Sequence, residues 1–329
     1  MPRGESDPPP TSLTVGEAHH GLRADVFLAR ELPELSRRRV RQKIQMGESL
    51  LNGKRYASST RLRQGDQITL SWRGNPPTGS AADIEILYED GILLAVNKPA
   101  GIASHPMGRT QSGTVVQFAR HLYAARIRAS LDAGDTGFYP RLVNRLDRFT
   151  SGVVLLAKTR DALHAMQAMV MDRLISKGYM ALVEGVVAED RGRIEMPIGP
   201  DPGSSIRVKM APREDGLPAL SEYVVLKRLP AHTLLSVSPV TGRQHQIRVH
   251  LASIGHPVVG DLLYKDERLF LRAQREQADR GELPATAALP ARHCLHAETL
   301  RFRHPLTGTP IEITAPLPPD FLRIMAGLE

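Results

Sequence analysis

The chain has 329 residues, enough for two domains and a sizeable core. Its 43 Lys and Arg against 35 Asp and Glu give a formal charge of +8 and a sequence pI near 9.8, which suits an anionic partner. A single cysteine, Cys294, excludes an intramolecular disulfide and a cysteine-based zinc site and fits a reducing cytoplasm, and no apolar run is long enough to span a bilayer.

Residues 1–12 are polar and proline-rich, without the apolar core of a signal peptide, and are expected to form a disordered head. Helical spacing of apolar residues predicts a helix over 24–32. Ser36 is placed to cap a second helix over 37–46, in which Val40 and Ile44 share one face and which Gly47 ends. Residues 50–54 read as a hairpin, because Asn52-Gly53 supplies the positive φ angles of a tight turn; residues 65–70 read as a turn and then a strand. From Ser36 to Arg63 there are nine Lys or Arg and one acid, Glu48. Arg37, Arg38, Arg39, Arg41 and Lys43 on the helix, with Lys54 and Arg55 on the hairpin, would bind phosphates with a salt-dependent affinity. This order of elements over residues 13–72 resembles the αL RNA-binding module named after a small-subunit ribosomal protein. Residues 73–82 have linker composition, and the domain boundary is expected there.

Alternation at Ile84, Ile86 and Tyr88, followed by the apolar run 92–96, predicts a second hairpin that Pro99 and Gly101 stop. Lys98 at its end reads equally well as a surface residue or a phosphate contact. Residues 114–124 are helix-like and 126–140 read as a polar loop. Val153 to Ala157 is an apolar, β-branched-rich run fit for an inner strand, with turn chemistry at Thr150-Ser151-Gly152 before it. Asp147, flanked by Arg145 and Arg148, therefore sits on a short loop feeding a buried strand; by spacing alone it is a turn cap or a surface ion pair. Thr159 caps an expected helix whose Leu163, Met166, Val170 and Leu174 form a core-facing stripe. A strand is expected over 176–183, a basic loop over 199–216, and a strand then a helix over 234–254, with Arg243 and Arg248 off the apolar face. Residues 266–290 are a charged, alanine-rich insertion, helical or loop, and 302–316 a closing hairpin around Thr307-Gly308.

The run Asn144-Arg145-Leu146-Asp147-x-x-Thr150-Ser151-Gly152 resembles the signature of RluA-type pseudouridine synthases, His-Arg-Leu-Asp-x-x-Thr-Ser-Gly, and departs from it only at Asn144. Lys177-x-Tyr179-x-Ala181 extends the likeness, as does Thr241-Gly242-Arg243-Gln244-His245-Gln246-Ile247-Arg248-Val249-His250-Leu251, where Gln244 replaces a threonine. So do Gly255-His256-Pro257-x-x-Gly260-Asp261-x-x-Tyr264 and Leu295-His296-Ala297. The resemblance implies an α+β protein: a small RNA-binding module, then a catalytic domain over 83–329 built on a largely antiparallel mixed sheet flanked by helices.

It further implies an RNA uridine isomerase that needs no cofactor and no metal. Asp147 would be the catalytic carboxylate, as a nucleophile at the sugar or as the base that forms a glycal, and Arg248 would keep it ionised. Tyr179 would stack on the flipped-out uracil and assist removal of the C5 proton, while Leu295 lines the uracil pocket. Arg145, Arg148, Arg243, His245 and Lys98 would lie on the substrate side, three of them (Arg148, Arg243 and Lys98) as phosphate contacts. The implied partner is RNA, above all large-subunit (23S-type) ribosomal RNA with transfer RNA as the alternative, for a monomeric, cytoplasmic, membrane-free protein. Two rival classes are a metallohydrolase drawn from His245, His250, His293 and His296, which lack a recognised ligand spacing, and a non-catalytic RNA-binding assembly factor.

Overall fold

A computed structural model describes residues 10–32, 35, 37–71, 84–106, 113–132, 137–280 and 292–328, with backbone only for 131–132 and 274–280. Ser36 as a cap, the linker at 73–82, most of the head and the end of the 266–290 insertion lie outside the described residues. The chain opens with β1 (Thr11–Thr14), α1 (Ala24–Glu31), α2 (Arg37–Met46), β2 (Ser49–Leu51) and β3 (Gln67–Leu70). After β4 (Glu85–Glu89) and β5 (Leu93–Lys98) come α3 (Val115–Leu122), α4 (Ala124–Asp132), β6 (Phe138–Leu142), the long β7 (Ser151–Thr159) and α5 (Arg160–Met171). Next are β8 (Ser176–Glu184), β9 (Arg191–Glu195), β10 (Ile198–Pro200), β11 (Met210–Pro212), β12 (Leu220–Arg228) and β13 (His232–Pro239). The chain finishes with α6 (Gln246–Ser253), α7 (Leu262–Lys265), α8 (Glu267–Arg280), β14 (Leu295–Arg303), β15 (Pro310–Thr314) and α9 (Pro319–Ala326).

The first of two compact units comprises residues 1–84, 102–142 and 156–163. Its N-terminal part has its own core, in which Phe27 and Leu28 of α1, Val40 and Ile44 of α2 and Ile68 and Leu70 of β3 are buried together. That is the apolar spacing of both helices turned inward. Asn52 and Gly53 do take positive φ, 49° and 75°, but the turn closes only the single bridge Leu51 to Lys54. The ladder partner of β2 is β3, in a three-stranded sheet ordered β1-β3-β2. Asp25 of α1 is buried and accepts hydrogen bonds from Arg23, Arg37 and Arg41, which hold its carboxyl far below the ordinary range against the opposing effect of burial. In the same unit Thr114 and Gln117 form a capping box on α3. The loop expected over 126–140 is instead largely α4 and β6. Ile127 of α4 is fully buried, Phe138 of β6 nearly so, and Arg126, one of the arginines that made the stretch look polar, lies over the Phe138 ring.

The second unit comprises residues 85–101, 143–155 and 164–329. Its main sheet runs in the order β4-β5-β7-β14-β8-β13-β12-β9, with β15 beside β14, and places the apolar run of β7 inside, Val153 to Ala157 being at most 1% exposed. β14 pairs with β7 in parallel and with β8 antiparallel. Strands β8 and β13, with Ile247 and Leu251 of α6 and Phe321 of α9, make the largest core. The loop expected over 199–216 contains the short pair β10 and β11. The stripe on α5 is only partly core: Met166 is fully buried, whereas Val170, Met171 and Leu174 are exposed. The start of the 266–290 insertion is helix α8.

Gly152 explains why the signature needs a glycine. It opposes Ala297 in the parallel ladder at φ +112°, and a Cβ there would sit 2.1 Å from the Ala297 carbonyl oxygen. Neither the backbone conformation nor the space admits a side chain. Gly152→Ala is therefore expected to destabilise the protein by about 3 kcal/mol or more, read as a fall in the denaturant midpoint.

Candidate active site

Asp147 lies in the loop that leads into β7, and three sets of bonds fix that loop. Asn144, where the related signature has histidine, donates from Nδ2 to Val153 O (3.2 Å) and accepts at Oδ1 from Leu155 N (2.7 Å), so its amide staples the loop to β7. Lys98 is fully buried, and its Nζ donates to the carbonyls of Pro99 (2.9 Å) and Arg148 (3.0 Å). Burial, countered by the charge of Asp147, pulls its amine down to about 7. An amine committed to backbone carbonyls inside the protein is no phosphate contact, which corrects that expectation. Gly101 N donates to the same Arg148 carbonyl and Arg148 Nε donates back to Gly101 O. Arg292, clamped by Asp320 at 2.6 and 3.0 Å, reaches the carbonyls of Phe149 and His293.

Opposite the loop stands Arg248. The expectation of an arginine off the apolar face of α6 is corrected by its burial, with a side chain only 7% exposed. Its Nε and Nη2 donate to the two oxygens of the buried Asp261, at 2.5 and 2.8 Å, and its Nη1 donates to Asp147 Oδ2 at 2.9 Å. Two-point pairing with Asp261 fixes the plane of the guanidinium, so the remaining nitrogen is aimed at Asp147 before any substrate arrives. Asp147 keeps 28% of its side-chain surface, and is the more open of the two carboxylates.

His245 begins α6 with a left-handed backbone, φ 55°, and brings Nε2 to 3.8 Å from Asp147 Oδ2. Its Nδ1 is 2.8 Å from the Tyr264 hydroxyl, which accepts from Met210 N and so has its own hydrogen to give; this assigns the imidazole proton to Nε2, facing Asp147. Burial holds His245 down to about 4 and His293 to about 3. For Asp147 itself burial works to raise the carboxyl, but the surrounding positive groups outweigh it and bring it to about 2. Because both histidines are neutral near pH 7, Arg248 is the cation that does this at neutral pH.

Tyr179 of β8 pairs with Val237 and Ala297 and packs against the core that contains Leu295. Burial first, and the charge of Asp147 second, raise its phenol well above the ordinary tyrosine range. The phenol is therefore held protonated at neutral pH. Leu295 is buried within that core. Arg145 and Arg148 are exposed, and the Arg148 guanidinium lies 5.5 Å from the Phe149 ring centre. Arg243 is half-buried and donates to Pro218 O.

The sequence reading missed Asp261, quoted in a motif but given no part, and Gln246. Gln246 accepts from Thr241 and Arg243 N and donates to Leu220 O and Ser221, holding the turn that aims His245. The four histidines of the metallohydrolase reading have separate partners: Tyr264 for His245, Ser221 and Met196 O for His250, Thr150 for His293, Ser151 and Ala315 O for His296. No group of three or more metal-ligating side chains is assembled among the described residues. Nor is any helix among them long and apolar enough to cross a membrane.

The family model for RNA pseudouridylate synthase matches residues 92–253, which contain both Asp147 and Arg248. A ribosomal large subunit pseudouridine synthase D of Xanthomonas campestris pv. campestris is 36% identical, over 98% of this chain and 95% of its own. The protein of that name from Neisseria meningitidis serogroup A is 34% identical over 96% and 83%. Among solved structures, human RNA pseudouridylate synthase domain containing 1 superposes with a TM-score of 0.54 at 27% identity, covering 74% of this chain and 86% of its own. Sharing its sequence with such relatives from end to end, and its fold with a solved synthase domain, the chain belongs to the RluA-type RNA pseudouridine synthases and is an isomerase.

Proposed function

We propose that this enzyme converts uridines of large-subunit ribosomal RNA to pseudouridine, with Asp147 as the catalytic carboxylate. The observation that carries the assignment of Asp147 is the 2.9 Å contact between its half-open carboxylate and a guanidinium already oriented by Asp261. The reaction breaks the bond from ribose to uracil N1, turns the base and rejoins it through C5, so nothing is lost or gained. A carboxylate ionised at neutral pH serves it either as nucleophile at the sugar or as base toward a glycal. His245 adds an N–H donor beside that carboxylate, and Tyr179, held protonated, offers a ring face on which a flipped-out uracil stacks, with Leu295 behind it excluding water. Arg145 and Arg148, exposed on the same loop, and Arg243 are placed for the RNA backbone.

The ribosomal substrate is supported by the relatives named for large-subunit RNA, which align over most of both chains. We read residues 13–72 as the αL RNA-binding module, tethering the RNA rather than reacting with it. Arg38, Lys54 and Arg55 are exposed, and Arg37 and Arg41 are half-exposed while anchored on Asp25. Lys43 leaves this set, because it is buried and paired with Glu48 at 2.9 Å. A monomeric cytoplasmic enzyme completes the reading.

Pseudouridines mapped by carbodiimide-stop sequencing in a deletion strain test it. Loss of large-subunit positions, restored by the wild type and not by Asp147→Asn, is the expected result; loss confined to transfer RNA would move the substrate, and no change at all would favour an assembly factor. In vitro, Asp147→Asn should lower the rate by at least about 10³-fold with an unchanged circular dichroism spectrum. The pH profile carries a separate expectation. A carboxyl depressed to about 2 stays ionised above that value and is lost only as pH falls through it, so the wild-type rate should show no acid limb between pH 5 and 8. In Arg248→Gln the limb should move upward toward pH 5, because the opposing cation is gone and burial remains.

A further inference from the structure

The first unit gathers cations around one tyrosine. The Arg120 guanidinium of α3 lies 4.3 Å from the Tyr139 ring centre and that of Arg141 lies 5.2 Å from it. Arg141 Nη1 donates to Tyr139 O at 3.0 Å. Arg160 follows directly on β7, held there by its N–H to Gly137 O, while β6 pairs Arg141 with Ala157. No ion pair joins any of these three arginines to a carboxylate among the described residues, and Asp161, next in sequence to Arg160, is exposed. Arg120 Nε is buried with no hydrogen-bond partner among the described residues. Burial and the mutual repulsion of these charges pull Arg120 and Arg141 below the ordinary arginine range, against the partial relief given by Tyr139.

Like charges held together with a buried donor unused are unfavourable unless an anion completes the arrangement. The ring faces of Tyr139 orient the guanidiniums without neutralising them. We propose that Arg120 and Arg141, on the ring of Tyr139, together with the neighbouring Arg160 form a binding site for a phosphate group. Planar forks of N–H donors match a tetrahedral oxyanion at two points each, whereas a lone carboxylate could not satisfy three of them. The phosphate is a phosphodiester of the RNA substrate or free inorganic phosphate; the first source rests on the functional reading above, and the site itself does not.

The test compares thermal unfolding of the full chain in inorganic phosphate and in chloride of matched ionic strength, for wild type, Arg141→Gln and Arg160→Gln. Arg160 is exposed, so its replacement should leave the fold intact. Phosphate at ten times its Kd should raise the wild-type Tm by roughly 3 °C, and each variant should bind at least about tenfold more weakly. Without phosphate, Arg141→Gln should melt at or above the wild-type temperature, because a repelling charge has gone. A rise of about fivefold in the variants' KM for substrate RNA at constant kcat assigns the phosphodiester; an unchanged KM in variants that have lost the phosphate response assigns the free ion. A wild type indifferent to phosphate, or variants that respond as wild type does, overturns the proposal. Asp147→Asn should still bind phosphate, so loss of turnover and loss of this site are distinguishable.

Discussion

The geometry of the candidate active site depends on one guanidinium shared between two carboxylates. Arg248 spends Nε and Nη2 on Asp261, which is buried and so strongly favours a fully paired state, and it has one nitrogen left for Asp147. Asp261 therefore fixes the orientation, and Asp147 receives a cation whose position is set independently of substrate. The arrangement holds two negative groups against one positive group, with His245 and His293 neutral. The excess negative charge resides on the more open carboxylate, Asp147. Preorganisation of this kind removes the cost of assembling the charges during the reaction.

That cation would be useless without an equally fixed loop. The Asp147 loop is held by a side-chain amide, Asn144, on β7, by the buried Lys98 on the Arg148 carbonyl, and by Arg292 on the Phe149 carbonyl. Gly152 then allows β7 to lie directly against β14, whose next residues toward the N-terminus carry His296, Leu295 and His293. Through this parallel pair the loop with the carboxylate and the strand that carries the buried Leu295 are registered to one another. Thr150 to His293 and Ser151 to His296 repeat the connection with side chains.

Legibility in the sequence followed the range of the interaction. The inner strand β7, the hairpin β4–β5 and the ends of α2 and α6 at Gly47 and Gly255 could be read from local pattern, because burial on both faces or a positive φ is decided by nearby residues. Asp147, Arg248 and Tyr179 were legible only through the resemblance; spacing alone left a turn cap, a surface arginine and a packing tyrosine. Long-range partners hid the rest. Lys98 and Lys43 look like solvated cations until the carbonyls and the Glu48 that bury them are seen, and Asp261 lies 13 residues from the guanidinium that it orients. Helix α4 was hidden by its arginines, which read as loop polarity although one of them covers Phe138. Val170 and Leu174, the exposed half of the expected stripe, show the converse error: apolar residues at helical spacing mark a helix without marking a buried face along its whole length.

The state of Tyr179 follows from its surroundings. Its ring lies in the apolar core beside β14, and the negative charge of Asp147 disfavours a second negative charge nearby, so burial and electrostatics push the phenol the same way. Near Asp147, the described groups that are unprotonated at neutral pH are Asp147 itself, His245 and His293, and on the proposed reading these stand beside Tyr179 as candidates to take the C5 proton. His293 is held by Thr150, which constrains it to the base of the loop. His245 is engaged by Tyr264 on one side and faces Asp147 on the other, so it can relay a proton only as Asp147 changes charge. On the proposed reading, the carboxylate that opens the glycosidic step is also the group whose charge bears on proton movement around the detached base, and Arg248, by setting the charge of Asp147, would act on both.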